Sequence, residues 1–250
     1  QRHRQHAERE QYRGYTFTCT LPPHITTIAP TRQWILEHSS DDKIVMMDDD
    51  LAFYRRRIDD PTKFEEATPN DIVQMVYTID TSLDGYAHVG IAAREGGNRI
   101  TDPVVFNTRI MRVLAYRADI LRKESIHFDA MEVMEDFNVA LMLLERGYPN
   151  ILLNQWCQNQ AGSNKSGGCS TFRTKEVQDR NARLLAEYHP RFVSVIEKST
   201  LVAWGGGVRT DVRIQWKAAY EYGRKTYGSL DKRTVGHLPK TRTGVAETVD

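Results

Sequence analysis

The chain reads as an α/β protein with a mixed, mostly parallel sheet flanked by helices. Three observations predict this. First, a short apolar run, Ile44-Val45-Met46-Met47, passes directly into Asp48-Asp49-Asp50, as a strand does when it is buried on both faces and leaves the sheet at its carboxyl end. Second, strand-like segments alternate with stretches of helical period along the chain. Third, the strand–helix–strand order ending at residue 50 suggests one unit of a parallel sheet. At 250 residues, with 40% apolar and 27% charged residues, the composition is that of an ordinary globular protein of one large domain or two small ones. A net charge of +1 creates no global field that would force a nucleic-acid or membrane partner. Cys19, Cys157 and Cys169 are too few and too scattered for a disulfide framework or a zinc site, so a reducing, intracellular setting is expected. No apolar run approaches the ~18 residues of a membrane span. The polar start is not a signal peptide.

The elements follow in order. Tyr15-Thr16-Phe17-Thr18-Cys19-Thr20 alternates as a strand does and ends before Pro22-Pro23. A helix is expected from near Pro30 through Trp34, Ile35 and Leu36 to His38, with Arg32 on its first turn, where it serves either a phosphate or the surface. The strand into Asp48 comes next. In Tyr54-Arg55-Arg56-Arg57 the cations either neutralise phosphates or pair with Asp59 and Asp60. Thr68 caps a structural helix carrying Ile72, Met75, Val76, Ile79 and Leu83. Residues 86–94 read as a strand that ends in Gly96-Gly97, which is either a plain turn or a close backbone approach to a ligand. Residues 110–116 form a further strand candidate. Met134-Glu135-Asp136-Phe137 opens a helix stopped by Gly147 and Pro149, and residues 150–156 read as another strand. The stretch from Gln158 to Ser170 is rich in amides, hydroxyls and glycines, which suits sugar or phosphate contacts. Thr174 caps a helix to about Tyr188. Beyond Trp204, basic residues including Arg209, Arg213 and Lys217 outnumber acids, interleaved with Trp216, Tyr220, Tyr222 and Tyr227. That pattern fits either a nucleic-acid surface or a solvated face over packed aromatics.

Two acidic motifs carry the chemistry. Asp48 and Asp50, two apart on extended backbone, point the same way and suit one hard cation, Mg²⁺ or Mn²⁺, on a nucleotide phosphate; Asp49 points elsewhere. Carboxylates at a helix N-terminus cap it, and an ionised one also serves as a general base. Capping accounts for one of Glu135 and Asp136, less readily for both.

The order of these pieces is similar to that of GT-A type glycosyltransferases. The strings Thr31-Arg32-Gln33-Trp34-Ile35-Leu36, Met47-Asp48-Asp49-Asp50-Leu51, Met134-Glu135-Asp136-Phe137 and Gly147-Tyr148-Pro149-Asn150, followed by Ser163-Asn164 and residues 167–174, resemble the TET-associated glycosyltransferases over residues 25 to 195. These are largely phage-encoded enzymes that glycosylate 5-hydroxymethylpyrimidines in DNA. The resemblance implies a GT-A-like nucleotide-diphospho-sugar transferase, with Asp48 and Asp50 as ligands of Mn²⁺ or Mg²⁺. Arg32, Asp48, Asp49, Asp50, Gly96 and Gly97 would lie on the donor, foremost a UDP-sugar. Asp136 would be the base, with Glu135 beside it. Ser163, Asn164, Gly167, Gly168 and Arg173 would form a loop at donor or acceptor. Outside the span of the resemblance, the basic C-terminal segment is the candidate for gripping DNA, through Arg209, Arg213 and Lys217. A late metal-binding His has only His189 or His237 as candidates. Residues 1–203 are expected to form the catalytic domain, with 204–250 a basic, aromatic-containing segment packed on it. The expected activity is metal-dependent, inverting sugar transfer to the hydroxyl of 5-hydroxymethylcytosine or 5-hydroxymethyluracil in DNA. It would take place in the host bacterial cytoplasm, without a membrane or an obligate protein partner. The alternatives are a glycosyltransferase with a protein or small-molecule acceptor, and a catalytically inactive DNA-binding module.

Overall fold

The computed structural model describes residues 19–97, 100–160, 174–199 and 208–227. In chain order the elements are α1 (Ile28–His38), β1 (Lys43–Met47), β2 (Leu51–Arg56), β3 (Phe64–Glu66), α2 (Pro69–Ser82), β4 (His88–Ala93), β5 (Val104–Phe106) and β6 (Val113–Arg117). Then follow α3 (Ala118–Lys123), α4 (Glu135–Glu145), β7 (Asn150–Gln160), α5 (Lys175–Tyr188), β8 (Val193–Ser199), β9 (Val208–Ile214) and α6 (Trp216–Tyr227). Thr68 and Thr174 cap α2 and α5 through their side chains, as their spacing predicts. Of the first predicted strand, Tyr15–Thr18 fall outside the described residues, and Cys19 and Thr20 are not in a strand.

The fold is α/β, but the expected mostly parallel sheet is overturned. The seven strands run β1-β6-β4-β7-β2-β3, with β5 also paired to β7, and only β4 and β7 are parallel. Parallel pairing needs a long crossover, and the stretch from Ala93 to Asn150, which carries α3 and α4, supplies one. The other neighbours are reached without such units. After β1 the chain crosses the end of the sheet through Asp48-Asp49-Asp50 and descends as β2 on the far side of β7. A second expectation also fails. Among the described residues β1 is an edge strand, with Ile44 and Met46 buried but Val45 and Met47 each 40% exposed. A continuous apolar run does not by itself separate an edge strand from a central one.

Alternation along the strands divides the core. Val113 and Ala115 face α2, where they meet Met75, Ile79 and Leu83. Leu114 and Tyr116 face the other layer, with Leu36 of α1 and Val139 and Leu143 of α4. A third cluster joins Leu141 and Leu144 of α4 to Leu185 of α5, Val212 of β9 and Ala219 of α6. Two glycines permit the close approaches that build the site. A Cβ on Gly90 would lie 2.1 Å from Ile110 Cγ2, so the 107–112 connection can lie across β4 only over a glycine. A Cβ on Gly223 would lie 2.3 Å from the Leu144 carbonyl oxygen and 2.4 Å from the Gly147 nitrogen, so α6 rests directly on the end of α4.

Candidate active site

Arg32 is the node of the site. It lies on the buried side of α1 with Ala29, Gln33 and Leu36. Its Nη1 donates to Glu135 Oε1 at 2.5 Å, and its Nη2 lies 3.5 Å from Asp48 Oδ1. One guanidinium thus ties α1 to the end of β1 and the start of α4. Burial works against the Arg32 charge, but Glu135, Asp136 and Asp48 outweigh it and hold its pKa above the ordinary value.

The two neighbouring acids sit in different surroundings. Glu135 is 4% exposed and paired with Arg32. Asp136 is half-buried and accepts from the Phe137 N–H at 3.0 Å. The N-cap of α4, Met134, is in the left-handed conformation (φ 64°) and its side chain makes no cap hydrogen bond; Asp136 takes up one first-turn N–H, that of Phe137.

Asp48 is raised above the usual carboxylate range. Burial is the main cause, Asp50 and Asp136 add to it, and Arg32 and Arg112 oppose it. Asp49 and Asp50 form an exposed turn rather than the extended backbone expected, and both Asp50 oxygens accept from Gln160 Nε2, at 2.8 and 2.9 Å. The Asp48 N–H donates to the Arg112 carbonyl at 3.3 Å, and Arg112 Nη1 donates to Gln158 Oε1 at 3.2 Å. Two of the non-glycine residues with positive φ, Arg112 and Met134, adjoin this region, and backbone strain concentrates at functional sites. Among the described residues no group of three His, Cys, Asp or Glu is placed to hold a metal. A desolvated Asp48 beside Asp50 still fits a hard cation that takes its other ligands from water and phosphate.

The remaining predicted residues are distributed as follows. The Gly96–Gly97 turn ends β4, with Gly97 buried against Phe64 and its carbonyl accepting from Arg56 Nη2 at 3.0 Å. Arg57 pairs with Asp59 and Arg55 with Glu65, which favours ion pairing over phosphate binding. Ser163, Asn164, Gly167, Gly168 and Arg173 lie outside the described residues, as does His237. Gln160, bonded to Asp50, is the last described residue before that stretch. Arg209 lies 3.3 Å from Asp211. Arg213 and Lys217 are exposed, on β9 and on the first turn of α6. His189 is buried between Glu145 (2.6 Å) and Asn138 (2.9 Å), engaged at both ring nitrogens.

Sequence reasoning missed Arg112. Gln158 and Gln160 belong to the amide-rich stretch it singled out, but they end β7 rather than open a loop, as the alternation Gln158-x-Gln160 allows. It also missed the aromatic contacts beside Asp136. Phe137 meets Trp216 edge-on at 5.7 Å, and the Arg109 guanidinium lies 4.6 Å from the centre of the Phe137 ring.

One end of the α/β sheet thus carries a buried Arg–carboxylate node, an aspartate turn and a helix-opening acid. The chain belongs to the TET-associated glycosyltransferase family, which matches residues 2–168. Two relatives are similar at lower identity. The beta-glucosyl-HMC-alpha-glucosyl-transferase of Enterobacteria phage T2 is 25% identical over 194 residues, 71% of this chain and 67% of the relative. That of Enterobacteria phage T6 is 24% identical over 192 residues, 71% of this chain and 66% of the relative. The chain thus spans about two thirds of the relatives' length. No solved structure matches it. No helix of the described residues is long and apolar enough to cross a membrane.

Proposed function

We propose that the protein transfers a sugar from a nucleotide sugar, foremost a UDP-sugar, to a hydroxyl carried by a 5-hydroxymethylpyrimidine in DNA, on a GT-A-like scaffold. The observation that carries the reading is the split acid pair. Arg32 is ion-paired with Glu135 and approaches Asp48, while Asp136 is a half-buried carboxylate in the field of the same guanidinium. Family membership and the names of the phage relatives support the acceptor.

A primary alcohol is a weak nucleophile at neutral pH. Asp136 removes its proton as the alcohol oxygen bonds to the anomeric carbon, while the bond from that carbon to the diphosphate oxygen breaks. Glu135 and Arg32 act as positioning residues for Asp136 and Asp48. Arg112, beside Asp48, supplies positive charge toward the diphosphate. Asp48 and Asp50 would hold Mn²⁺ or Mg²⁺, which stabilises charge on a departing diphosphate. A single displacement of this kind inverts the anomeric centre. We assign residues 1–203 to catalysis and 204–250 to gripping the acceptor through Arg213 and Lys217, with cytoplasmic action on host-borne phage DNA. A second reading has one specific support. The relatives' names specify an acceptor that already carries a β-glucosyl group, and the acceptor hydroxyl then belongs to that sugar.

The test is nucleoside mass analysis. DNA with unmodified cytosine, 5-hydroxymethylcytosine, 5-hydroxymethyluracil or β-glucosyl-5-hydroxymethylcytosine is incubated with a panel of nucleotide sugars and Mn²⁺, then digested and weighed. A hexose-type mass gain on a hydroxymethylated base is expected. Gain only on the glucosylated base selects the second reading. Transfer to protein or small molecules alone, or donor binding with no transfer, refutes both.

A further inference from the structure

A cleft of about 420 Å³ lies between the β5–β6 connection and the start of α6. It adjoins another of about 290 Å³ through shared Asn107 and Lys217. Its walls combine an aromatic ring, Trp216, an apolar patch, Ile214, three neutral polar side chains, Asn107, Thr108 and Gln215, and one cation, Lys217. We propose that this cleft binds the nucleotide next to the acceptor base on the DNA strand, its base against Trp216 and its phosphate toward Lys217.

Composition supports the ligand class. A nucleobase offers a π-face to an aromatic ring and polar edges to amides and hydroxyls, and its phosphate seeks a cation. Lys217 borders both lobes, and the acids of the adjoining one, Asp102 and Glu221, disfavour a phosphate within it. The site is also built rather than incidental. Asn150 pins one wall, its Oδ1 accepting from the Thr108 N–H and its Nδ2 donating to the Thr108 carbonyl, both at 2.9 Å. Asn107 beside it holds a φ of 51°. The opposite wall is fixed by the contact of Gly223 with α4.

Position supports the strand rather than the donor. Trp216 touches Phe137, which follows Asp136, so the cleft begins one ring–ring contact of 5.7 Å from the residue beside the base. The donor side, at Asp48 and Asp50, is connected instead to Arg32, Arg112 and Gln160.

The inference rests on the reading that DNA is the acceptor, but it is measured by binding alone. A short single-stranded oligonucleotide carries 2-aminopurine on either side of one 5-hydroxymethylcytosine. The 2-aminopurine emission should change on binding at one flank. Trp216→Leu should abolish that change and raise Kd about tenfold, within the range of losing one base–aromatic stack. Lys217→Ala, at an exposed side chain, should raise Kd severalfold and lower the slope of log K on log salt by about 0.7, the value for one phosphate contact on a single strand. If Trp216→Leu does not fold, Lys217→Ala and the emission of the unaltered protein decide the matter. Unchanged Kd and salt slope in Lys217→Ala, or no emission change at either flank, overturns the proposal. A weakened Kd for UDP-glucose in place of DNA overturns it in favour of a donor cleft. A loss confined to β-glucosylated DNA overturns it in favour of a sugar pocket. Sugar transfer to DNA with unchanged binding would sink this inference and spare the proposed function. Flank-specific binding without transfer would do the reverse.

Discussion

Replacing Arg32 by Met removes the charge that neutralises Glu135 and leaves the apolar stem. Glu135 is 4% exposed and ion-paired with Arg32. Breaking a buried pair from one side costs about 3–5 kcal/mol, because the remaining charge loses a close compensating cation in a low-dielectric setting. Asp48 adds less, since its side chain is 30% exposed and its separation from Arg32 is 3.5 Å. For a chain of this size each kcal/mol moves Tm by roughly 2–4 °C, so Arg32→Met should lower Tm by roughly 6 to 20 °C. Arg32→Met combined with Glu135→Leu replaces the pair by apolar side chains of similar bulk and should recover most of the loss. Transfer should not return in the double variant, because Asp48 still lacks its cation. Thermal scans and urea unfolding at pH 7 read the stability, and nucleoside mass analysis reads the transfer. A single variant within about 2 °C of the parent, or a double variant as unstable as the single, would refute the central place given to Arg32.

Three further predictions follow from the same contacts. His88 is fully buried, and burial pushes it down to about 4 from the ordinary 6.5 despite its bond to the Ala115 carbonyl. Between those values the unfolded chain binds more protons, so about 3 kcal/mol of stability is present above pH 6.5 and is lost as pH falls toward 4; urea titrations of His88→Leu should show a flatter profile in that window. Asp48 is shifted upward, so above pH 3.8 its ionised form costs stability. Asp48→Asn should therefore raise Tm while transfer is lost, and a lowered Tm would contradict that assignment. Gly223→Ala places a methyl against Leu144, Glu145 and Gly147. It should lift α6, raise hydrogen exchange over residues 216–227 and weaken DNA binding, whereas unchanged exchange would remove α6 as the wall of the cleft.

The helices and most strands were legible because their signals are local. Thr68 and Thr174 cap where spacing places them, and the Met75, Ile79, Leu83 stripe is buried as its period requires. Strand partners were not legible. Ile44 to Met47 reads the same at an edge as in a centre, and nothing local to Asp48-Asp49-Asp50 states that the next strand lies beyond β7. The site was half legible. The acid motifs stood out, but the proposed division of labour between Glu135 and Asp136 rests on the contact of Glu135 with Arg32, 103 residues away in sequence. The cleft was hidden for the same reason, since Asn107 and Trp216, distant in sequence, come to line it together only in the folded chain.

The central claim is that Asp136, not Glu135, takes the acceptor proton. The most direct measurement is single-turnover transfer to 5-hydroxymethylcytosine DNA under saturating donor and DNA, comparing Asp136→Asn with Glu135→Gln. Glu135→Gln keeps an acceptor for Arg32, whereas Asp136→Asn removes the base, which is worth about 10²- to 10⁴-fold. The account predicts that Asp136→Asn slows the step by that factor and Glu135→Gln by at least about tenfold less. A Glu135→Gln variant slowed as much as Asp136→Asn, or more, would contradict it.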